Sequence, residues 1–456
     1  MSLVSPAELA RSSSGGALRL FSEPGALRHL GRLVDELAPS GEVAIVGDGA
    51  QKVVDDGDLD AVVEAAVSGA RTPRHVRVPV GAHGVTLDER TVEAVAAGAA
   101  GAAIIVTVGS GTVSDLGKVV AADLGVPLIS VQTAASVNGY ADPLSVVVRN
   151  GAKRTVPSRW PDALVIDHDV VARAPLALTR AGVGDAVAIW SAPADWYLAC
   201  ALGMDSSLYD GRFVDPVRDL APALADAGRD DADRLGVLVD TLTVGGLVIG
   251  DAGTTAPLSG VEHLMSHVLD MSALAEGVAH DLHGAQVGVA SVLAASLWDI
   301  ALEEGGLFAL EPADLVVPTD VEKRVRQVWH PVDPSGVLGK ECWRAVQAKM
   351  RRWVSATSQI VSFFSHRRRH VETLRALAGD PAVPLAALRA WNAPTTFAEL
   401  TPPVSPDRAR WALGALPFMR DRLSIADLFV LAGRWDDELF DRVFARAAAV
   451  GGGFGI

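Results

Sequence analysis

Two rhythms of apolar residues divide the chain. From about Ser22 to Ile166, short apolar runs alternate with segments whose apolar residues recur at helical spacing. The runs Val43–Val46, Ala103–Val108, Pro127–Val131 and Ala163–Ile166 predict buried strands, and His75–Val80 alternates like a strand. Helical spacing covers Leu59–Ala70, Thr86–Ala100 and Asp115–Leu124. Ser22, followed by Glu23 and Pro24, reads as the N-cap of a helix reaching about Leu37. Asn150-Gly151, between Ser145–Val148 and Arg154–Val156, predicts a hairpin with a short turn. Strands regularly separated by helices imply a parallel, doubly wound, Rossmann-like α/β sheet.

After Thr179 only the helical rhythm continues, and the boundary is expected near Ala172. That gives an α/β domain over 1–172 and an all-α domain over 173–456. Asp185 follows Gly182-x-Gly184 and is expected in the first turn of a long helix, as a cap-region acid or as a metal ligand. Leu202–Arg234 predicts a loop with a short helix. Gly260–Gly288 holds His263, His267, His280 and His283, four of eleven histidines. His263 and His267 stand i, i+4 apart, so on a helix they share a face and can converge on a metal. A surface helix with polar histidines is the plain alternative. A loop at Ser272–Glu276 is expected to bring His283 back beside His263 from the start of the next helix, Gln286–Leu297. The basic run FFSHRRRH (Phe363–His370) predicts a solvated helix face, and Gly451–Gly453 predict a frayed tail.

Composition narrows the function classes. With 456 residues, 49% hydrophobic and 21% charged, the chain suits two or three globular domains. A formal net charge of -15 argues against nonspecific binding to nucleic acid or to an anionic membrane. The N-terminal residues lack a basic start followed by an apolar core, and the apolar run Ala94–Val108 is too short to span a bilayer. Two cysteines, Cys200 and Cys342, supply neither a disulfide framework nor a thiolate metal site, so a cytoplasmic setting is expected. Oligomeric state stays open between monomer and homo-oligomer.

Ligands on parallel sheets bind at the carboxyl ends of the strands. There, Gly109-Ser110-Gly111-Thr112 lies between a strand and a helix, where missing side chains let backbone N–H groups approach a phosphate. It is neither G-x-G-x-x-G nor a P-loop, and a tight structural turn explains it equally well. Asp48 ends an earlier strand where an acid can hydrogen-bond a ribose hydroxyl, or simply make a turn. Thr133, Ser136 and Asn138 place hydroxyls and an amide just past another strand end.

The segments VGDG, GSGTVSDLGK, TAASVNGYADP, GVGDAVAIW and GVEHLMSH…DLHGAQVG occur in one order from Val43 onward, followed by APTTFAEL and ALPFMRDRLSIADL. As a set they resemble the metal-dependent polyol dehydrogenases related to dehydroquinate synthase, closest to the sn-glycerol-1-phosphate and glycerol dehydrogenases. The resemblance implies the dehydroquinate synthase-like fold, with a nucleotide domain, a helical metal domain and catalysis in the cleft. By motif position it gives Asp48, Gly109, Ser110, Gly111, Thr112, Val113, Thr133 and Ser136 to the dinucleotide. It gives Asp185, His263 and His283 to the metal, and makes His267 a substrate residue rather than a ligand. His280 has no role in it.

Two departures stand out: Asn138 replaces the family's substrate-facing aspartate and cannot take a proton, and Asp142 replaces a Ser or Thr. Ser110 replaces a glycine. The implied activity is oxidation of a small polyol or polyol phosphate with NAD, NADP being the alternative. Zinc is the expected ion, with nickel or iron as alternatives. Asn138 and Asp142 join His267 as expected catalytic residues, with Asp142 taking over proton handling. Asp48 favours NAD, an effect that Lys52 softens. A redox-neutral cyclase or lyase like dehydroquinate synthase is the competing reading, disfavoured by Asp185 in place of a glutamate ligand and by only six lysines in the chain. A non-catalytic homologue is the third.

Overall fold

A computed structural model of the chain describes residues 5–13, 18–54, 57–69, 71–82 and 84–454. The N-terminal part holds a six-stranded parallel sheet built from β1 (Arg19–Glu23), β2 (Val43–Gly47), β3 (Pro73–Arg77), β4 (Ile104–Gly109), β5 (Leu128–Gln132) and β8 (Ala163–Asp167), in the order β1-β8-β5-β4-β2-β3. The short segments Val53–Val54 and Gly57–Asp58 pair antiparallel, and two further strands, β6 (Leu144–Arg149) and β7 (Ala152–Pro157), form the hairpin expected around Asn150-Gly151. Both turn residues have positive φ, 50° and 76°, the geometry that a two-residue turn matched to strand twist demands.

Alternation along the strands builds two cores. Val43, Ile45, Ile104, Val106 and Val108 pack under helices α1 (Leu30–Leu37) and α2 (Leu59–Ser68). Ala44, Val46, Ile105 and Leu128 pack under α3 (Glu89–Ala99) and α4 (Gly111–Leu124). Apolar runs buried on both faces are what a parallel sheet covered on two sides requires. The chain steps from β2 to β3 on one side, then crosses back to β4 and moves away through β5 and β8. The direction of winding therefore reverses between β2 and β4, and that crevice is where doubly wound sheets bind ligands.

The structure moves one N-terminal boundary. Ser22 is not a helix cap but pairs with Ile166 inside β1, and α1 begins only at Leu30, after a 3-10 turn over Ala26–His29. The capping is done from another strand: the Asp167 carboxylate at the end of β8 accepts the N–H groups of Gly25 at 3.0 Å and Leu27 at 2.9 Å.

Beyond β8 the described residues contain helices and no further strand. The main ones near the site are α5 (Leu176–Ala186), α6 (Ala192–Ala201), α7 (Asp231–Ala252), α8 (Val261–Glu276) and α9 (His283–Ala301). Asp185 stands near the C-terminal end of α5, not in a first turn, so the helix dipole does not favour its charge. Gly182 and Gly184 do not break the helix. A Cβ on Gly182 would lie 1.9 Å from the carbonyl oxygen of Ala135, and one on Gly184 would lie 2.0 Å from that of Gly284. Close backbone packing demands these glycines. Residues 272–276 continue α8 rather than forming a loop, and the connection to α9 is residues 277–282. Val244–Ala252 forms the end of α7.

The chain gathers into two compact units. One holds Met1–Arg149, Lys153–Gly182 and Asp219–Thr255, and the other holds Asn150–Ala152, Val183–Arg218 and Ala256–Ile456. Two helices, Asp231–Ala252 and His283–Ala301, are long and apolar enough to cross a bilayer, yet 67% and 94% of their most apolar windows are buried inside the protein. The tail is anchored rather than frayed. Gly453 donates to Thr395 O at 3.1 Å and accepts from Phe397 N at 2.8 Å.

The tightest approach of α4 to the sheet is at Gly117, where a Cβ would stand 2.1 Å from Thr107 Cγ2. Thr107 is a buried β-branched residue of a central strand and cannot swing away. Gly117→Ala is therefore expected to lower unfolding free energy by about 1–3 kcal/mol, despite the better helix propensity of alanine. Urea denaturation of the two proteins measures it.

Candidate metal centre

Asp185, His263 and His283 each offer a ligand atom, and these atoms lie within 4.8 Å of one another. Three elements bring them together: the end of α5, the first turn of α8 and the first residue of α9. Gly184, Gly284 and Gly288 let α5 and α9 touch backbone to backbone, since a Cβ on Gly288 would come within 2.9 Å of Gly184 Cα. Asp185 and His263 are buried and His283 is half-buried. His263 Nε2 lies 3.3 Å from Asp185 Oδ1, and its ring centroid is 5.2 Å from that of His283.

The imidazoles are held from behind. His263 Nδ1 stands 3.0 Å from Glu262 Oε1, a fully buried carboxylate that also accepts Gly260 N at 2.5 Å and the Ser191 hydroxyl at 2.6 Å. Burial alone pulls a histidine's pKa down, but the hydrogen bonds to Asp185 and Glu262 outweigh it and push His263 up to about 9. A site that draws a proton onto a buried imidazole favours positive charge. Two imidazoles and a carboxylate also make a three-ligand set that leaves a coordination position for substrate. The residues fit a divalent cation on both counts.

His283 Nδ1 instead meets the Ser266 hydroxyl at 2.7 Å, and that hydroxyl is 2.8 Å from Gln286 Oε1. Asp195 is buried a step further out, accepting Val261 N and Ile425 N at 2.8 Å each, the first N–H groups of α8 and of the helix Ile425–Leu431. Burial and the nearby Glu262 push its carboxyl well above the usual range. His267, one turn along α8 from His263, has its ring centroid 5.3 Å from that of His283. His280 is exposed at the surface, with Nδ1 2.9 Å from Asp270 Oδ1.

The nucleotide candidates cluster at the carboxyl ends of β2, β4 and β5. Asp48 follows β2, where Oδ1 accepts Ala50 N at 3.0 Å and Lys52 Nζ at 2.5 Å. Helix α4 starts at Gly111, earlier than the expected Asp115, so Ser110 is its N-cap and Gly111, Thr112 and Val113 form its first turn. The glycines also have packing reasons: a Cβ on Gly109 would meet Val113 at 2.5 Å, and one on Gly111 would meet Val137 at 2.8 Å. Thr133 N donates to Gly109 O at 3.1 Å, tying the loop after β5 to the loop after β4. Thr133 and Ser136 are buried in that wall, while Thr112 is exposed.

Asn138 is half-buried and begins a 3-10 turn, Gly139–Ala141. Asp142 does not stand open as a proton-handling acid. It is buried, its Oδ1 accepting Leu144 N at 2.7 Å and Lys118 Nζ at 3.1 Å. Lys118 is itself 1% exposed. Its ammonium also donates to Gly139 O at 2.7 Å and to Leu144 O, and pairs with Asp115 at 2.9 Å. Burial pulls the lysine pKa down, but Asp115 and Asp142 outweigh it and hold the pKa up. Burial pushes Asp142 up to about 6 against the pull of Lys118. Tyr140 adds a hydrogen bond to Thr243 of α7 at 3.0 Å. Glu262, Ser266 and Lys118 were not singled out from the sequence, although Glu262 directly precedes His263 and Lys118 stands three residues after Asp115 on one helix.

Comparison with known proteins finds similarity of sequence and fold to dehydrogenases. The family described as iron-containing alcohol dehydrogenase matches residues 21–175. A protein of Halorubrum lacusprofundi named glycerol-1-phosphate dehydrogenase (NAD(P)+) is 34% identical over 280 residues, 59% of this chain and 73% of the relative. One of the same name from Bacillus licheniformis is 31% identical over 220 residues, and there the match spans 47% of this chain and 54% of the relative. The chain thus spans about half the length of some curated relatives it matches. The crystal structure of glycerol dehydrogenase from Schizosaccharomyces pombe superposes with a TM-score of 0.58 at 15% identity, over 95% of this chain and 90% of that one. A probable glycerol dehydrogenase from Sinorhizobium meliloti gives 0.57, also at 15% identity, over 95% and 97%. At that identity the likeness is one of fold.

His263 generates a pH test. Its pKa is raised from 6.5 to about 9 in the metal-free protein. The stabilisation it provides is fully present below about pH 6.5 and lost as pH rises through about 9, a change of about 2–3 kcal/mol. Urea denaturation of chelator-treated protein at pH 6.5 and 9.5 is expected to show this loss. His263→Gln is expected to flatten it.

Proposed function

We propose that this chain, which belongs to the glycerol-1-phosphate dehydrogenase branch of the iron-containing alcohol dehydrogenase family, is an NAD(P)-dependent, divalent-metal-dependent dehydrogenase of a small polyol or polyol phosphate. The observation that carries the reading is the convergence of Asp185, His263 and His283 within 4.8 Å. In this reading residues 1–172 bind the dinucleotide and 173–456 bind metal and substrate.

A divalent ion held by those three side chains supplies Lewis acidity where negative charge develops on the substrate oxygen. The nicotinamide supplies the hydride acceptor, so the protein's task is position and charge. Gly109 and Ser110 lead into α4, and Gly111, Thr112 and Val113 present its first N–H groups to the pyrophosphate, where the helix dipole is positive. Thr133 and Ser136 wall the nucleotide. Asp48 accepts ribose hydroxyls and disfavours a 2′-phosphate, so NAD is preferred over NADP. Lys52, paired with it at 2.5 Å, narrows that preference. His267 donates a hydrogen bond to substrate and relays its proton. Asn138 orients substrate through its amide without taking a proton. Asp142 is assigned a positioning role: with Lys118 and Asp115 it fixes the turn that begins at Asn138.

The test is a screen of glycerol phosphates, glycerol and longer polyols for reduction of NAD and NADP in the presence of zinc, nickel or iron. Net NADH formation that Asp185→Asn lowers by about a hundredfold or more supports the reading. Turnover of a substrate without net NADH formation would point to a cyclase or lyase instead, and stoichiometric failure to bind metal and NAD would point to a non-catalytic protein.

A second outcome separates positioning from proton handling at Asp142. If Asp142 acts with Lys118, Asp142→Asn and Lys118→Met lower kcat non-additively, the double variant resembling Lys118→Met alone. Additive losses, with an acid limb removed from the pH–rate profile by Asp142→Asn, return Asp142 to proton handling.

A further inference from the structure

The two imidazoles of the metal centre are backed by different chemistry. Behind His263 is Glu262, whose two oxygens face three donors: Gly260 N at 2.5 Å, the Ser191 hydroxyl at 2.6 Å and His263 Nδ1 at 3.0 Å. An ionised carboxylate only accepts, so with a cation held on the Nε2 side the remaining imidazole proton sits on Nδ1, facing Glu262. The Nε2 lone pair is then left on the side of Asp185, where a metal would sit. Helix geometry fixes this arrangement, because Glu262 and its donor Gly260 both stand at the start of α8.

Behind His283 is Ser266, whose hydroxyl both donates and accepts. It lies 2.7 Å from His283 Nδ1, 2.8 Å from Gln286 Oε1 and 3.3 Å from His283 O. A hydroxyl with these alternatives serves either tautomer of His283. Asp270 Oδ2 is 3.9 Å from His283 Nδ1, and the other oxygen of Asp270 is 2.9 Å from His280 Nδ1. His283 is also half-buried, whereas His263 is enclosed.

We propose that Glu262 is a positioning residue that sets the metal affinity of this centre through His263, and that Ser266 has no equivalent effect through His283. The inference rests on the assignment of Asp185, His263 and His283 as metal ligands. Removing an outer hydrogen-bond partner of a metal-bound histidine typically lowers affinity about 10–100-fold. The unequal partners predict that this loss appears on one side of the site only. Glu262→Gln keeps the shape of the side chain but offers His263 an amide that presents oxygen or N–H, so the tautomer is no longer enforced.

The experiment strips the full-length protein with a chelator and titrates it with zinc against a competing fluorescent chelator. A parallel titration with cobalt reports ligand geometry through its visible absorption. Glu262→Gln is expected to weaken zinc binding about 10–100-fold and to alter the cobalt spectrum. Ser266→Ala is expected to change affinity by less than about threefold. Zinc binding by Glu262→Gln within threefold of the wild type, or an equal loss from Ser266→Ala, overturns the proposal. Should Glu262→Gln fail to fold, Ser191→Ala removes the hydroxyl that holds the far oxygen of Glu262. A loss of several-fold from that variant is then expected, and an unchanged affinity overturns the proposal. Failure of the wild type to take up stoichiometric zinc or cobalt refutes the ligand assignment itself, a result distinct from the others.

Discussion

The arrangement of the helical unit follows from the need to match a buried carboxylate, Glu262, which is fully enclosed next to an imidazole. An ionised carboxyl taken out of water is destabilising by several kcal/mol unless charges and donors surround it. Here the donors are Gly260 N, the Ser191 hydroxyl and His263. Each fixes a separate element: the entry to α8, the start of α6, and the imidazole itself. Asp195 repeats the device one layer out, joining the first N–H of α8 to that of the helix Ile425–Leu431. That second helix is anchored in turn by Asp427, whose buried ion pair with Lys349 is 2.6 Å long. A line of acids thus runs from the chain's C-terminal third to Asp185. Glu262, Asp195 and Asp427 each accept backbone N–H groups at the start of a helix they hold.

The α/β unit solves a similar problem with the opposite sign. Lys118 is an ammonium on the buried face of α4, and the oxygens around it come from Asp115 on its own helix, from Gly139 and Asp142 on the loop after β5, and from Leu144 at the start of β6. Asp115 Oδ2 also accepts Val146 N at 2.9 Å. The same helix presents Gly111 at its N-terminus to the switch point between β2 and β4. One rigid element therefore sets both the glycine turn and the turn at Asn138. Small residues complete the fit, as at Gly246 of α7, where a Cβ would come within 2.4 Å of Asn138 O.

How much of this was legible in the sequence depended on whether the signal was local. The strands Val43–Gly47, Ile104–Gly109, Leu128–Gln132 and Ala163–Asp167 stood out because burial on both faces leaves an uninterrupted apolar run. The hairpin at Asn150-Gly151 was visible because φ > 0 restricts residue choice. Asp185, His263 and His283 were grouped by motif order, and the structure brings them together, but the place of Asp185 was misread. Gly182 and Gly184 resemble a turn in sequence; only the backbone of residues 135 and 284, far off in the chain, shows that they are contact points. Ser22 failed as a cap for the same reason, since the capping carboxylate comes from Asp167.

Asp142 shows where sequence reasoning most needs a partner. A carboxylate that replaces a hydroxyl next to a site looks like gained chemistry, whereas burial beside Lys118 turns it into a brace. The exchange also bears on Asn138. An aspartate there would add a third carboxylate near a turn held by Lys118, whose ammonium already meets Asp115 and Asp142. Like charges that share a buried partner oppose one another's ionisation, and Asp142 is already pushed up to about 6. A neutral amide at 138 supplies hydrogen bonds without that penalty. The negative charge is held inside the brace and the neutral group begins the turn.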